Sequence, residues 1–245
     1  MRTEQFGLSG FTRVDIRGVF HFGVVKSDTY GVIIERSWIV HPRALVQGDT
    51  LVVYEPWYDL GHTAWLTPRV KVGMPELREL KVSGASVGSV TGFSSSQDFR
   101  LKARGGSHLT GDIKARNSEL DVAGASQLKL GLSSGQLRLK VAGASKLNGE
   151  LNADVGDIHV VGASRIVLKG AMGDALIDVA GASRLYMDNF TVHNAGIRLA
   201  GASQCRLRVD GKMDAELAGA SRLFYSGNPV MGNIRAVGAS RVARA

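Results

Sequence analysis

The sequence predicts an all-β protein, a single-chain parallel β-helix (solenoid) of about 19-residue coils with a less regular N-terminal portion. Three observations carry that prediction. A Gly-Ala-Ser triplet recurs at near-constant spacing, apolar residues alternate with period two on both sides of it, and no stretch shows the i, i+3, i+4, i+7 face of a helix.

The triplet stands at 84–86, 124–126, 143–145, 162–164, 181–183, 201–203, 219–221 and 238–240, with Gly-Gly-Ser at 105–107. Its glycines are spaced by 21, 19, 19, 19, 19, 20, 18 and 19 residues. Four residues before the glycine stand Leu80, Leu101, Leu120, Leu139, Ile158, Ile177, Ile197, Ala215 and Ile234, and two before it a column of Val, Ala and Leu. Four residues after it stand Gly88, Leu109, Leu128, Leu147, Ile166, Leu185, Cys205, Leu223 and Val242. Each repeat therefore reads as strand, corner, strand and a shorter polar return. One such unit cannot bury its own apolar row, but stacking units ~4.8 Å apart turns every column into a ladder of like residues. Glycine at the corner can take a positive φ, and the alanine after it is small enough for close stacking.

The column three before the glycine supports in-register stacking independently. It runs Lys81, Lys102, Asp121, Lys140, His159, Asp178, Arg198, Glu216 and Arg235, opposite in parity to the core and mostly alternating in sign. Opposite charges on neighbouring strands contribute ~0.2–1 kcal/mol each.

Residues 1–80 are an irregular β portion, expected to form the first coils or cap of the same domain, while 81–245 hold the repeats. Ten of the sixteen aromatic residues lie in this first portion, among them Trp38, Trp57, Tyr58 and Trp65. Val14, Ile16, Phe20, Phe22 and Val24 alternate around Gly18, which reads as the corner of a degenerate first coil. The aromatic-rich segment is expected to widen or cap one end of the rod.

Composition narrows the function classes. Hydrophobic residues make up 44% and charged residues 21%, which excludes disorder as the default. The longest apolar runs are strand-length, so no membrane-spanning helix is expected. The first residues lead into no apolar h-region, and no signal peptide is expected; the chain either stays in the cytoplasm or has lost an export signal. Cys205 is the only cysteine, so no internal disulfide can form. The charge of +8 lies wholly on the repeats: residues 1–80 hold nine Lys/Arg and nine Asp/Glu, and residues 81–245 hold twenty-one and thirteen. An electrostatic partner belongs there.

The run Thr67-Pro68-Arg69-Val70-Lys71-Val72-Gly73-Met74-Pro75-Glu76-Leu77-Arg78-Glu79-Leu80-Lys81-Val82-Ser83-Gly84-Ala85-Ser86 resembles the head GIN domain family, bacterial proteins classed as auto-transporter adhesins. The likeness extends to the alternating opening over Phe11 to Val24, the strand Leu51-Val52-Val53 and the recurrent Ser-Gly-Ala-Ser units, and covers essentially the whole chain. It implies a right-handed parallel β-helix and an exported, cell-envelope or surface role, and it supplies no catalytic residues to carry over.

Chemistry is sparse. Gly84-Ala85-Ser86-Val87-Gly88 matches a nucleophile elbow on paper, but the serine recurs in all nine repeats and reads as a structural ladder. The six histidines lack metal-ligand spacing, so no metal or cofactor is expected. Asp154, Asp157, Asp174 and Asp178 could approach one another on adjacent coils, as a lyase or hydrolase would need, but read better as a solvated or paired face.

Two features keep functional interest. The column three after the glycine runs Val87, His108, Gln127, Lys146, Arg165, Arg184, Gln204, Arg222 and Arg241, five cations and no acid. It could meet an acidic glycan or envelope polymer, or serve only to block lateral strand pairing and keep the rod soluble. Nucleic acid is the weaker candidate partner. Trp57, Tyr58 and Trp65 could stack on sugars or anchor a protein, or plug the end of the rod. The reading is therefore a non-catalytic binding or adhesion module. The alternatives are a scaffold that self-associates end to end through the open C-terminal coil, and last a polysaccharide lyase or hydrolase.

Overall fold

The computed structural model describes residues 2–56 and 67–245, and every regular element among them is a β-strand. The N-terminal portion contributes β1 (Arg2–Phe6), β2 (Arg13–Gly18), β3 (His21–Lys26), β4 (Gly31–Arg36), β5 (Arg43–Gln47), β6 (Thr50–Tyr54) and β7 (Arg69–Met74). The alternating residues around Gly18 are all buried, and Gly18 pairs with Gly84 as a corner of the common stack.

Order in space departs here from order in sequence. β2 lies between β6 and β8 (Glu79–Gly84), and β3 lies between β7 and β9 (Val87–Ser94). The later pair β6 and β7 thus stacks outside the earlier pair β2 and β3. Three pairings at this end are antiparallel: β1 with β4, β4 with β7, and β5 with β6. Gly48 and Asp49 close the last of these as a hairpin, with Gly48 at φ +62°. Val32 and Ile34 of β4 join the same core as the parallel coils, so this end of the rod is covered.

The repeats follow as β10 (Phe99–Ala103), β11 (His108–Lys114), β12 (Asn117–Val122), β13 (Gln127–Val141), β14 (Lys146–Val160), β15 (Arg165–Val179), β16 (Arg184–Leu199), β17 (Gln204–Val209), β18 (Lys212–Leu217), β19 (Arg222–Ser226), β20 (Val230–Ala236) and β21 (Arg241–Arg244). In the four middle coils the strand continues for 15 or 16 residues from one corner to the next. The short polar return expected between coils is itself hydrogen-bonded ladder: Ser133, Asn152, Ala171 and Thr191 pair in register. Equal coil lengths bring these segments side by side, and their backbone groups then have one another as partners.

The core columns form ladders as predicted up to the last coil, where Ile234 and Ala236, expected in the core, are exposed because β20 pairs only with β18 among the described residues. Leu101, Leu120, Leu139, Ile158 and Ile177 pair in succession and are all buried. Gly88 interrupts the leucine column because Phe22, its partner in the coil beneath, places its ring where a Cβ would sit. At the corners the alanine N–H bonds to the glycine carbonyl of the preceding coil, as from Ala144 to Gly124 (2.8 Å) and from Ala163 to Gly143 (2.8 Å). The serines turn inward and donate to backbone: Ser145 Oγ shares its proton between Ala142 O (3.0 Å) and Gly124 O (3.2 Å). Corner carbonyls thereby find donors within the protein, which accounts for the recurrence of the serine.

Cys205 occupies the leucine column, fully buried, and burial first, with Asp188 second, pushes its thiol up from 9.0 to about 12. The neutral thiol is favoured in the folded state, so its contribution to stability is complete below pH 9.0 and is lost as pH rises toward about 12. Iodoacetamide is expected to modify Cys205 below pH 9.0 only after denaturation. Labelling of the native protein at the rate of the unfolded chain would contradict this placement.

Candidate functional site

The outward residues of the strands that follow the corners line up on one face. Lys146, Arg165 and Arg184 are direct partners on β14, β15 and β16; Gln204 follows on β17, then Arg222 on β19 and Arg241 on β21. All five cations are exposed. None of them has a carboxylate partner among the described residues.

The face before the corner is built from the same residue types and behaves differently. Arg100 meets Glu119 at 2.8 Å, Arg138 meets Asp157 at 3.6 Å and Arg198 meets Glu216 at 3.5 Å. Alternation in sign between neighbouring coils pairs most of its charges within the rod, though Lys140 and Arg235 have no carboxylate partner among the described residues. The basic column has no such alternation, so its charge is not neutralised from coil to coil.

Structure adds three residues that the reading of single columns passed over. Five positions after the glycine, Tyr186, Arg206 and Phe224 follow one another on β16, β17 and β19. The Arg165 guanidinium lies over the Tyr186 ring at 5.0 Å, and that of Arg206 over Phe224 at 5.2 Å. Arg206 also comes within 4.0 Å of Asp188. Tabulating that column in the sequence would have displayed the aromatic–Arg–aromatic order, though not which arginine covers which ring.

On the other face a trough of about 1030 Å³ runs across the coils between Arg13 and Asp214. Its wall carries the Arg100–Glu119 and Arg138–Asp157 pairs, and the ladder of charges stops at Leu176, which is 66% exposed, and at Gly196. The four aspartates weighed for catalysis do not converge. Asp157 and Asp178 bracket His159 at 2.8 and 3.8 Å, Asp174 accepts from Asn194 at 2.8 Å, and Asp154 lies in another column, beside Gly173 of the next coil. At the end of the trough the Asp214 carboxyl is held below the usual range, first by the Asn233 N–H and then by Lys212. Among the described residues no group of three or more His, Cys, Asp or Glu could hold a metal ion. No helix among them is long and apolar enough to cross a membrane.

The aromatic candidates Trp57, Tyr58 and Trp65 lie outside the described residues. Trp38, on the covered end, is 78% exposed.

A family model described as "Putative auto-transporter adhesin, head GIN domain" matches residues 10–150 and 131–229. No individually curated protein matches the sequence. Among solved structures, a "putative lipid binding protein" from Parabacteroides distasonis is similar at a TM-score of 0.74 and 15% identity, covering 100% of this chain and 96% of its own. A "putative adhesin" from the same organism is similar at 0.71 and 17%, covering 100% and 96%. Another from Parabacteroides merdae is similar at 0.69 and 15%, covering 100% and 95%. At these identities the three share the fold with this chain.

Proposed function

The chain belongs to the family described as "Putative auto-transporter adhesin, head GIN domain", and from that premise we propose that it is a non-catalytic, adhesion-type binding module of the bacterial cell envelope or surface. Its ligand on this reading is an acidic glycan or envelope polymer, held by Lys146, Arg165, Arg184, Arg222 and Arg241. The observation that supports it is the contrast between the two faces. The five cations of one column are exposed and without carboxylate partners among the described residues, whereas most of those on the paired face, Lys140 and Arg235 excepted, meet a carboxylate within the rod.

Changing Arg165 and Arg184 together to Ser tests the reading. Neither side chain belongs to the core, so the melting temperature should stay close to the parent's. Two exposed ion contacts at about 0.5–1 kcal/mol each predict a roughly fivefold to thirtyfold loss of affinity for an acidic polymer at low salt. Parent binding should weaken as salt rises, because exposed charges are screened over ~8–10 Å near physiological ionic strength. Unchanged affinity in the double variant would remove the basic column from the function. Anionic lipid vesicles belong in the same series, since one structural neighbour carries a lipid-binding description.

A second reading, end-to-end self-association, draws on β20 and β21. Among the described residues each pairs on one side only, with β18 and β19, and Val230 (71%), Met231 and Ile234 are exposed. An unpaired strand edge with apolar residues is a template for another copy. Sedimentation that does not change with concentration, and does not change in Met231→Asp, would set it aside.

A further inference from the structure

The basic column is broken at Gln204, and the break coincides with the position of Arg206 two residues along the same strand. Side chains two apart on a strand share a face. Counting both columns, each of seven successive coils therefore presents one cation on this face: Lys129, Lys146, Arg165, Arg184, Arg206, Arg222 and Arg241. Five of the seven are arginines, whose planar forks stay charged and bind anionic oxygens two at a time.

Direction is decided by what lies next to each cation. Along most strands the charge fails or reverses within two steps: Lys146 is followed outward by Asn148 and Glu150, and Arg184 by Tyr186 and Asp188, while on β17 Arg206 is followed by Arg208. Across the strands one cation follows another for six steps, on the order of 29 Å, with Asp188 approaching Arg206 at 4.0 Å. A chain of anions gains from the second direction and not from the first. The two rings act on orientation. Tyr186 sits against the Arg165 guanidinium and Phe224 against that of Arg206, and a cation held over a ring surrenders less freedom when an anion arrives.

We propose that these seven coils form one continuous cationic track whose ligand is a linear polyanion lying along the rod axis, with Arg206 closing the break at Gln204 and Tyr186 and Phe224 as positioning residues. This rests on the basic face being the binding face and names its direction, its length and four further residues. The shared chemistry is a chain carrying an oxyanion on successive units, whether phosphodiester or acidic sugar.

The test uses the full chain with inorganic polyphosphate of graded length, and with uronic-acid oligomers as the second source, titrated at several salt concentrations. Affinity should climb with length until the oligomer spans the track and then level off. Arg206→Gln should weaken the longest chains about twofold to fivefold and lower the slope of log affinity against log salt by about one. It should leave chains short enough for Lys146, Arg165 and Arg184 alone little changed. Tyr186→Leu and Phe224→Leu should each weaken binding about twofold with the salt slope unaltered, since no charge is lost, and Tyr186→Phe should restore the parent value. Binding that persists but does not depend on length, or on Arg206, overturns the track and leaves the basic face standing. No binding of either oligomer at low salt overturns both. Binding to phosphatidylglycerol vesicles but to neither soluble chain overturns the track in favour of a membrane surface.

Discussion

Replacing Ile158 by Asp is expected to abolish the folded rod or lower its melting temperature by 10 °C or more, a rough figure for a loss above about 4 kcal/mol in a chain of this size. Ile158 has no exposed surface and sits between Leu139 and Ile177 in the ladder four before the corner. A carboxylate there meets apolar side chains above and below. An uncompensated charge in such a place either stays ionised at a cost of several kcal/mol or takes up a proton and leaves a polar group unpaired. The damage also spreads, because each coil is stabilised mainly by its neighbours and the centre of the array has two to lose. Circular dichroism melting and limited proteolysis would read the effect. A variant melting within a few degrees of the parent would mean that Ile158 does not face the core.

Gly143→Val is the second large effect, for two separable reasons. Gly143 has φ +81°, a conformation costing a residue with a Cβ roughly 1–2 kcal/mol. A Cβ added there would also stand 2.5 Å from the carbonyl oxygen of Gly124 in the preceding coil. That oxygen already accepts from the Ala144 N–H at 2.8 Å, so it cannot retreat without weakening the corner bond. Overpacking of this kind adds about 1–3 kcal/mol, for a total near 2–5 kcal/mol. Gly10 separates the two contributions: its φ is +79°, yet no atom lies within 4 Å of its would-be Cβ. Gly10→Val should therefore show the strain alone, and denaturant unfolding of the pair should place Gly143→Val well below it. Equal losses would show that stacking at the corner contributes nothing.

The two substitutions fall on features that were legible in different degrees. The positive φ of Gly143 follows from a glycine at a fixed step in a repeating strand–corner–strand unit. Its contact with Gly124 requires knowing that corners stack directly on one another, and the equal spacing of the triplets already implied as much. The serine ladder was legible for a related reason: a residue repeated in every coil must meet the same local backbone in every coil. Its acceptors, one carbonyl in its own corner and one in the coil before, needed coordinates.

The candidate site divides in the same way. Exposure and register of Lys146, Arg165 and Arg184 follow from parity and repeat length alone, since side chains of odd offset from a core column must point outward. The cation–ring pairs do not follow, because Arg165 reaches Tyr186 one coil away and two columns over, and Arg206 reaches Phe224 within its own column. Rotamers choose between such neighbours, and rotamers depend on what surrounds them.

By itself the sequence determined the β-helix, its coil length, the core columns, the corners and the basic row. All of these are consequences of periodicity, and a periodic pattern in a chain with one strand geometry has a single stacked solution. Only the tertiary structure decided that β6 and β7 stack outside β2 and β3 and that antiparallel strands cover the first coils. It also decided that the return segments pair as strand. The first 80 residues carry no repeat to set their neighbours. Their partners are chosen by which edges remain unpaired once the regular coils have formed, and that is a property of the assembled rod.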